Sequence, residues 1–309
     1  MTEARPDSIT PESAALSSGA DRGSVDRLVT RGFWDARHER HVEETRDARE
    51  SAPGLPGRLC GRCRTRLGAE RGESYREFLA QRVFRRYLPK AANWRCLEIG
   101  CAPGRNLIAF HRLFGYQPFG VEYSPVGAAE TRESLAAAGF DPAHVIETDV
   151  FDSMFQRDHA GRYEVILSRG FIEHFTDPRR AVAAHVNLLA PGGFLVCTIP
   201  NLRGWSYPFL ALLSPEFLRS HNTTIMRRAR YRALFEGLGL GCLYCEYSGM
   251  FGLFGLALRH ERTWRGAVAK AADLLGEAAD LALFTLLRGR SLETPWSPNL
   301  IYIGRKEQA

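Results

Sequence analysis

From Arg95 onward the chain alternates two patterns: short runs rich in β-branched and apolar residues, and longer runs whose apolar positions recur every three or four residues. That alternation predicts a mostly parallel sheet with helices on both faces. Strands are expected near Arg95–Ile99, Gln117–Glu122, His144–Val150, Glu164–Ser168, Gly193–Ile199, Gly241–Tyr247 and Leu300–Gly304. Helices are expected near Arg105–Phe114, Pro125–Ala138, Pro178–Leu189 and Ile225–Phe235, and Pro191-Gly192-Gly193 reads as a turn between helix and strand. Upstream, Tyr75, Phe78, Leu79, Val83, Phe84 and Leu88 make one apolar helical stripe that ends before Pro89. The expected class is α/β, a seven-stranded, mostly parallel, doubly wound sheet.

Outside this alternation the pattern fades. Residues 1–30 are polar, lack periodicity and are expected to be disordered, while 31–72 reads as an irregular N-terminal extension with the Gly32-Phe33-Trp34 aromatics at its start. The main domain is expected over 73–309, carrying insertions at about 201–222 and 259–295. Ligands of open α/β sheets sit beyond the carboxyl ends of the strands. The first insertion is therefore placed to roof a substrate pocket.

Composition narrows the class. The 309 residues are 45% hydrophobic and 25% charged, as in a globular protein. No basic start precedes an apolar stretch, so a cytoplasmic address is expected. The longest apolar stretch, Gly266–Leu287, is broken by Lys270, Asp273, Glu277 and Asp280, which favours an amphipathic helix over a membrane span. Seven cysteines without an export signal argue for free thiols. Cys60/Cys63 and Cys242/Cys245 have CxxC spacing, yet the second pair falls on what reads as a strand and the first in an Arg/Gly-rich loop, so a four-sulfur zinc site is not expected. The net charge of +6 is concentrated: residues 57–90 hold ten Lys or Arg against three Glu. Such a run reads as a solvated helix face or as a docking surface for an anionic polymer.

The chemistry concentrates after the first strand. Leu97-Glu98-Ile99-Gly100-Cys101-Ala102-Pro103-Gly104 leaves a strand and opens a helix, with small residues that let backbone approach a ligand closely. A dinucleotide fingerprint needs a small residue where Arg105 stands. An acid at Glu98 suits a cationic ligand and would repel a pyrophosphate.

This segment resembles motif I of class I methyltransferases, E/D-x-G-x-G-x-G, with Ala102 in place of the middle glycine. The resemblance extends over roughly Arg95–Asn201. It implies S-adenosylmethionine as cofactor and a last strand that runs antiparallel. It further implies that Glu98, Gly100, Cys101, Ala102, Gly104 and Asn106 line the methyl donor's site. Glu122, with Tyr123 beside it, is expected to take the ribose hydroxyls, and Asp149, with Val150, the adenine amino group. Ser168 and Arg169 lie at the end of the fourth strand, where the methyl group faces its acceptor. Ile172-Glu173-His174-Phe175-Thr176-Asp177-Pro178 and Leu189-Ala190-Pro191-Gly192-Gly193 are similar to the ubiquinone-biosynthesis, or type 11, group, which implies methylation of oxygen, nitrogen or carbon on a small molecule. Ser214–Asn222 resembles members of polysaccharide and secondary-metabolite pathways. Some relatives bind a divalent metal through E-x-x-E-H and a distant His; Gly170 stands where the leading Glu belongs, so no metal is expected.

The sulfonium is already activated, and a base is needed only if the nucleophile has a proton to lose. His174 and Glu173 are the first candidates, and His221 follows. Trp205, Tyr207 and Phe209 are the expected acceptor-binding residues. The competing readings are a nucleic-acid methyltransferase docking through 57–90, with steep salt dependence, and a binding protein that keeps the fold without turnover.

Overall fold

A computed structural model of the chain describes residues 26–50, 75–250, 264–288 and 290–308. The strands are β1 (Arg95–Ile99), β2 (Gln117–Glu122), β3 (Val145–Glu147), β4 (Tyr163–Arg169), β5 (Leu189–Pro200), β6 (Leu240–Ser248) and β7 (Asn299–Lys306). They form one sheet in the order β3-β2-β1-β4-β5-β7-β6. β7 runs antiparallel to β5 and β6, and the pairs from β3 across to β5 are parallel. The helices are α1 (Arg31–Glu50), α2 (Tyr75–Tyr87), α3 (Arg105–Phe114), α4 (Pro125–Ala137), α5 (Ser153–Asp158), α6 (Pro178–Leu188), α7 (Tyr207–Leu213), α8 (Pro215–Arg219), α9 (Arg228–Ala233) and α10 (Trp264–Leu286).

Strand residues divide between the two faces by parity, as side-chain alternation requires. Leu97, Ile99, Ile166, Leu195, Cys197 and Tyr302 belong to one apolar cluster, with Val182 and Val186 of α6. Cys96, Val165, Leu167, Val196, Ile301 and Ile303 belong to the other, with Leu107, Phe110 and Phe114 of α3. Glu98 shares parity with Cys96, so a carboxylate projects into an otherwise apolar layer; it is 1% exposed.

Four expectations change. The stretch 31–72 is not irregular throughout, because Arg31–Glu50 is a 20-residue helix that packs on α4. Strong helix formers make it, with no proline and one glycine at its second position, but without the apolar stripe that periodicity detects. The third strand stops at Glu147 rather than Val150, since the Asp149 carboxylate accepts the Phe151 amide at 3.0 Å and turns the chain. The helix expected at Ile225–Phe235 is shortened to α9 behind a turn capped by the Asn222 side chain. Pro191-Gly192-Gly193, expected as a turn, lies within β5, while the amphipathic helix expected at Gly266–Leu287 is α10. No helix among the described residues is long and apolar enough to cross a membrane. Residues 1–25 and the Cys60/Cys63 pair lie outside the described residues; Cys242 is exposed and Cys245 buried, both free thiols.

The close contact between β1 and β2 depends on Gly120. A Cβ there would stand 2.5 Å from Cys101 Sγ and 3.0 Å from its Cβ, in the loop that leaves β1. Gly120→Ala is expected to cost about 1–3 kcal/mol of stability by overpacking. A denaturation midpoint equal to that of the unsubstituted chain would show that the two strands have slack.

Candidate functional site

The site lies at the carboxyl ends of β1, β2, β3 and β4. Its floor is the loop after β1, where Gly100 (φ 71°) and Gly104 (φ 87°) are left-handed. A Cβ on Gly100 would come within 3.1 Å of the Phe171 ring, so the glycine keeps the floor low as well as turning it. Glu122, at the end of β2, accepts the amide of Ala102 at 3.3 Å and that of Ser124 at 2.9 Å. One buried carboxylate thus ties the β1 loop to the β2 loop. Burial raises its pKa, and the amides of Ser124 and Ala102 pull the other way.

Behind the floor, Glu98 accepts a 2.6 Å hydrogen bond from Asn106 Nδ2. Its Oε2 is buried without a partner. Burial pushes its pKa to about 8, against the lowering effect of Asn106 and of Arg169. A group so arranged waits for a donor, and a cationic one relieves the cost of ionising it.

A cavity of about 410 Å³ opens above this floor, a volume ordinary for a small-molecule site. Of the residues expected to hold the methyl donor, Gly100, Ala102, Glu122, Tyr123, Asp149, Val150 and Arg169 line it. Glu98, Cys101, Gly104, Asn106 and Ser168 do not. Gly104 caps α3, Cys101 packs toward Gly120 and Thr131, and the Ser168 hydroxyl donates to Cys197 Sγ. Asn106 connects Glu98 to the lining residue Arg169, whose Nη1 lies 3.4 Å from Asn106 Oδ1.

The far side of the cavity is built from the segment after β4 and from the first insertion. Asn222 donates its backbone amide to Glu173 O (2.6 Å) and its side-chain amide to Phe175 O (3.1 Å), which brings His221 against His174 with ring centroids 4.5 Å apart. His174 Nδ1 donates to Ser220 O at 2.7 Å, and His221 Nδ1 to Phe217 O at 2.7 Å. Because a carbonyl only accepts, both rings carry their proton on Nδ1 and keep a lone pair on Nε2. Burial, and in His174 also the neighbouring His221, holds their pKa values at about 3 and about 4, so both are neutral at physiological pH. Glu173 is fully buried, both of its oxygens lack partners, and burial raises its pKa to about 8. One ligand atom from each of Glu173, His174 and His221 falls within 4.8 Å of the others. No metal was expected because Gly170 replaces a glutamate, but His221 supplies a third donor where the sequence showed two. Donation of each Nδ1 to a carbonyl is the outer support usual for metal-binding imidazoles, so the trio fits a divalent cation.

Trp205, Tyr207 and Phe209 are not among the cavity's lining residues; Tyr207 and Phe209 are exposed on α7, and Trp205 packs edge-on against Phe209. Phe217 and His221 come from the first insertion instead, and Arg27, Trp34, Arg37 and His38 from the N-terminal region. Arg27 forms an ion pair with Asp149 at 2.6 Å and lies 4.7 Å from the Tyr123 ring centroid. Leu28 donates its amide to His174 O and Arg31 donates to Tyr123 O, so the strand ends are strapped by a segment that sequence reading assigned to disorder and irregular chain. The buried Val29 and the Phe33-Trp34 pair were the available signal.

Sheet order, glycine floor and acid-ended strands together define an α/β enzyme that receives a cationic, nucleoside-bearing ligand. A profile of the methyltransferase-domain family matches residues 70–244, over half of the chain. The chain belongs to that family, the class I methyltransferases that use S-adenosylmethionine. It is 28% identical over 102 residues to the chloroplastic tocopherol O-methyltransferase of Arabidopsis thaliana, 33% of this chain and 29% of that one. It is 29% identical over 92 residues to the ubiquinone biosynthesis O-methyltransferase of Escherichia coli, 26% of this chain and 38% of that one. The chain thus spans about a third of the length of these curated relatives. Among solved structures it is similar to a geranyl diphosphate methyltransferase in complex with SAM (TM-score 0.50, 18% identity, 82% of this chain and 93% of that one). It is also similar to the cyclase SpnF (TM-score 0.50, 14% identity, 93% and 100%). At these identities the likeness is one of fold.

The raised pKa of Glu98 gives opposite pH trends for folding and for binding. Between its ordinary value of 4.5 and about 8, the folded protein retains a proton that the unfolded chain releases, so this group's contribution to stability falls as pH rises through that window. If Glu98 compensates the ammonium group of S-adenosylhomocysteine, binding needs the ionised form and is expected to tighten by up to ~10-fold per pH unit approaching pH 8. Titration calorimetry from pH 6.5 to 8 on the unsubstituted chain and on Glu98→Gln measures this. Equal slopes for the two would remove Glu98 from the ammonium's environment.

Proposed function

We propose that the chain transfers a methyl group from S-adenosylmethionine to an oxygen, nitrogen or carbon nucleophile on a small-molecule acceptor. The carrying observation is one continuous cavity whose floor is Gly100 and Ala102 and whose far wall is Glu173, His174 and His221. In this reading Glu122 accepts the ribose hydroxyls, Asp149 the adenine amino group, and Glu98 compensates the ammonium. Bound S-adenosylmethionine supplies a methyl group on a cationic sulfur that leaves as a neutral thioether. The residues of the chain align the acceptor with the methyl carbon, exclude water and take the nucleophile's proton.

Glu173 suits the last task better than His174. In its ionised form, which grows as pH approaches 8, a carboxylate whose pKa is raised to about 8 is a strong proton acceptor, whereas an imidazole held at about 3 is a weak one. His174 and His221 then orient the nucleophile through Nε2. A small acceptor is favoured over a nucleic acid because residues 26–38 strap the cavity mouth and, among the described residues, the basic run contributes none to the lining. Turnover at Glu173 also separates this reading from a binding protein. A thermal-shift titration with S-adenosylhomocysteine, followed by a labelled-methyl screen of hydroxylated and aminated acceptors, tests it. Glu173→Gln is expected to lower turnover ~100-fold or more while keeping the thermal shift, and unchanged turnover excludes Glu173 as the base.

The same trio supports a second reading, in which Glu173, His174 and His221 hold a divalent cation that lowers the pKa of an acceptor hydroxyl. The partnerless Glu173 oxygens and the two inward Nε2 lone pairs favour it. Manganese binding followed by electron paramagnetic resonance is expected to be lost in His221→Ala. A spectrum of free manganese with the unsubstituted chain would leave the trio to acid-base work alone.

A further inference from the structure

The cations that line the cavity are all accounted for but one. Arg27 is paired with Asp149, and Arg169 reaches Asn106 and, through it, Glu98. Just outside, Arg31 donates to the Tyr123 carbonyl. Arg37, on α1, also lines the cavity, and among the described residues it makes no hydrogen bond or ion pair. The Trp34 ring lies 5.8 Å from its guanidinium carbon, and Arg40 and Glu173 act on it electrostatically. Trp34 in turn meets His174 edge-on at 4.9 Å, which connects Arg37 through one ring to the wall that carries Glu173, His174 and His221.

Arg37 is exposed on α1, so its guanidinium is open to solvent as well as to the cavity that it lines. Glu173 lines the same cavity with neither oxygen hydrogen-bonded, and among the described residues it makes no ion pair with Arg37. Trp34, Phe171 and Phe217 add apolar rings to the lining of the same cavity. An always-charged, five-donor fork, kept beside aromatic walls without a partner of its own, is suited to a planar or tetrahedral anion.

We infer that Arg37 is the docking point for an anionic group, a carboxylate or a phosphate, carried by the acceptor at the end opposite its nucleophile. The acceptor's apolar body lies against Trp34, Phe171 and Phe217, and its nucleophile faces Glu173. This deepens the methyltransferase reading and rests on it.

The test uses the full chain saturated with S-adenosylhomocysteine, whose own thermal shift is recorded first. Benzoate, phenyl phosphate and neutral benzamide are then titrated by calorimetry into the unsubstituted chain, Arg37→Gln and Arg37→Lys. Benzoate, phenyl phosphate or both are expected to bind at least ~10-fold more tightly than benzamide, and the arm that binds identifies the anion. That preference is expected to vanish in Arg37→Gln and to survive in part in Arg37→Lys, each variant being accepted as folded by its retained shift with S-adenosylhomocysteine. If S-adenosylhomocysteine gives no shift with the unsubstituted chain, the methyltransferase reading fails and this inference with it. If it does, and benzamide binds as well as the anions, or Arg37→Gln keeps the preference, this inference alone is overturned. Should Arg37→Gln fail to fold, the comparison of benzamide with the anions on the unsubstituted chain, together with Arg37→Lys, still decides.

Discussion

Three carboxyl groups, Glu98, Glu122 and Glu173, are held out of water around the carboxyl ends of neighbouring parallel strands, and no cationic side chain pairs directly with any of them. An ionised carboxylate in such a place is costly, and the protein meets the cost differently at each position. Backbone amides of Ala102 and Ser124 serve Glu122, the Asn106 side chain serves half of Glu98, and Glu173 is left with none. The unmet remainder is one oxygen of Glu98, behind the floor, and both oxygens of Glu173, which lines the cavity. A ligand with hydroxyl donors at one end, a positive charge near its middle and a proton-bearing partner beyond would satisfy all three. The geometry of the sheet is therefore less a container for the ligand than a means of keeping these acids apart and dry.

The remaining parts act by closing that arrangement against solvent. Arg27, Leu28 and Arg31 connect residues 26–31 to the ends of β2 and β4 and to the turn after β3, while the Asn222 contacts fasten the first insertion to Glu173 and Phe175. Both closures add hydrogen bonds at the rim to the apolar burial of Val29 on one side and of Leu202 and Leu210 on the other. Such hydrogen bonds are individually worth ~1 kcal/mol, little enough for a ligand to rearrange. The Arg27–Asp149 pair shows what this implies, because the carboxylate proposed to accept the adenine amino group is already engaged. Adenine would have to share Asp149 with Arg27 or displace it. In either case binding is coupled to the N-terminal strap.

The sequence disclosed the sheet because its strands are buried on both faces and read as apolar runs, and because Gly100, Glu122 and Asp149 recur at strand ends in a fixed order. It disclosed Glu173 and His174 for the same reason. Two kinds of feature escaped. Helix α1 carries no apolar stripe, so its residues Trp34, Arg37 and His38 gave no periodic signal although they line the cavity. His221 was among the candidates, but its meeting with His174, supported by the Asn222 and Ser220 hydrogen bonds, is a long-range contact without a local pattern. Aromatic richness in the first insertion drew the reading toward Trp205, Tyr207 and Phe209, but Phe217 is the aromatic from that insertion that faces the cavity.

The distribution of function over the chain follows from this division. The half of the site that receives the methyl donor is built on strand ends, where register fixes each side chain and the family profile matches. The half that faces the acceptor is built on α1 and the first insertion, elements outside the sheet whose contacts can be rewritten without disturbing it. The cyclase SpnF has a similar fold at 14% identity, so the sheet alone leaves the reaction open. In the proposed reading, the chemistry is selected by the convergence of Glu173, His174 and His221 with Arg37 on one cavity. That convergence depends on Asn222 and Leu28 holding two separate segments to the one loop after β4.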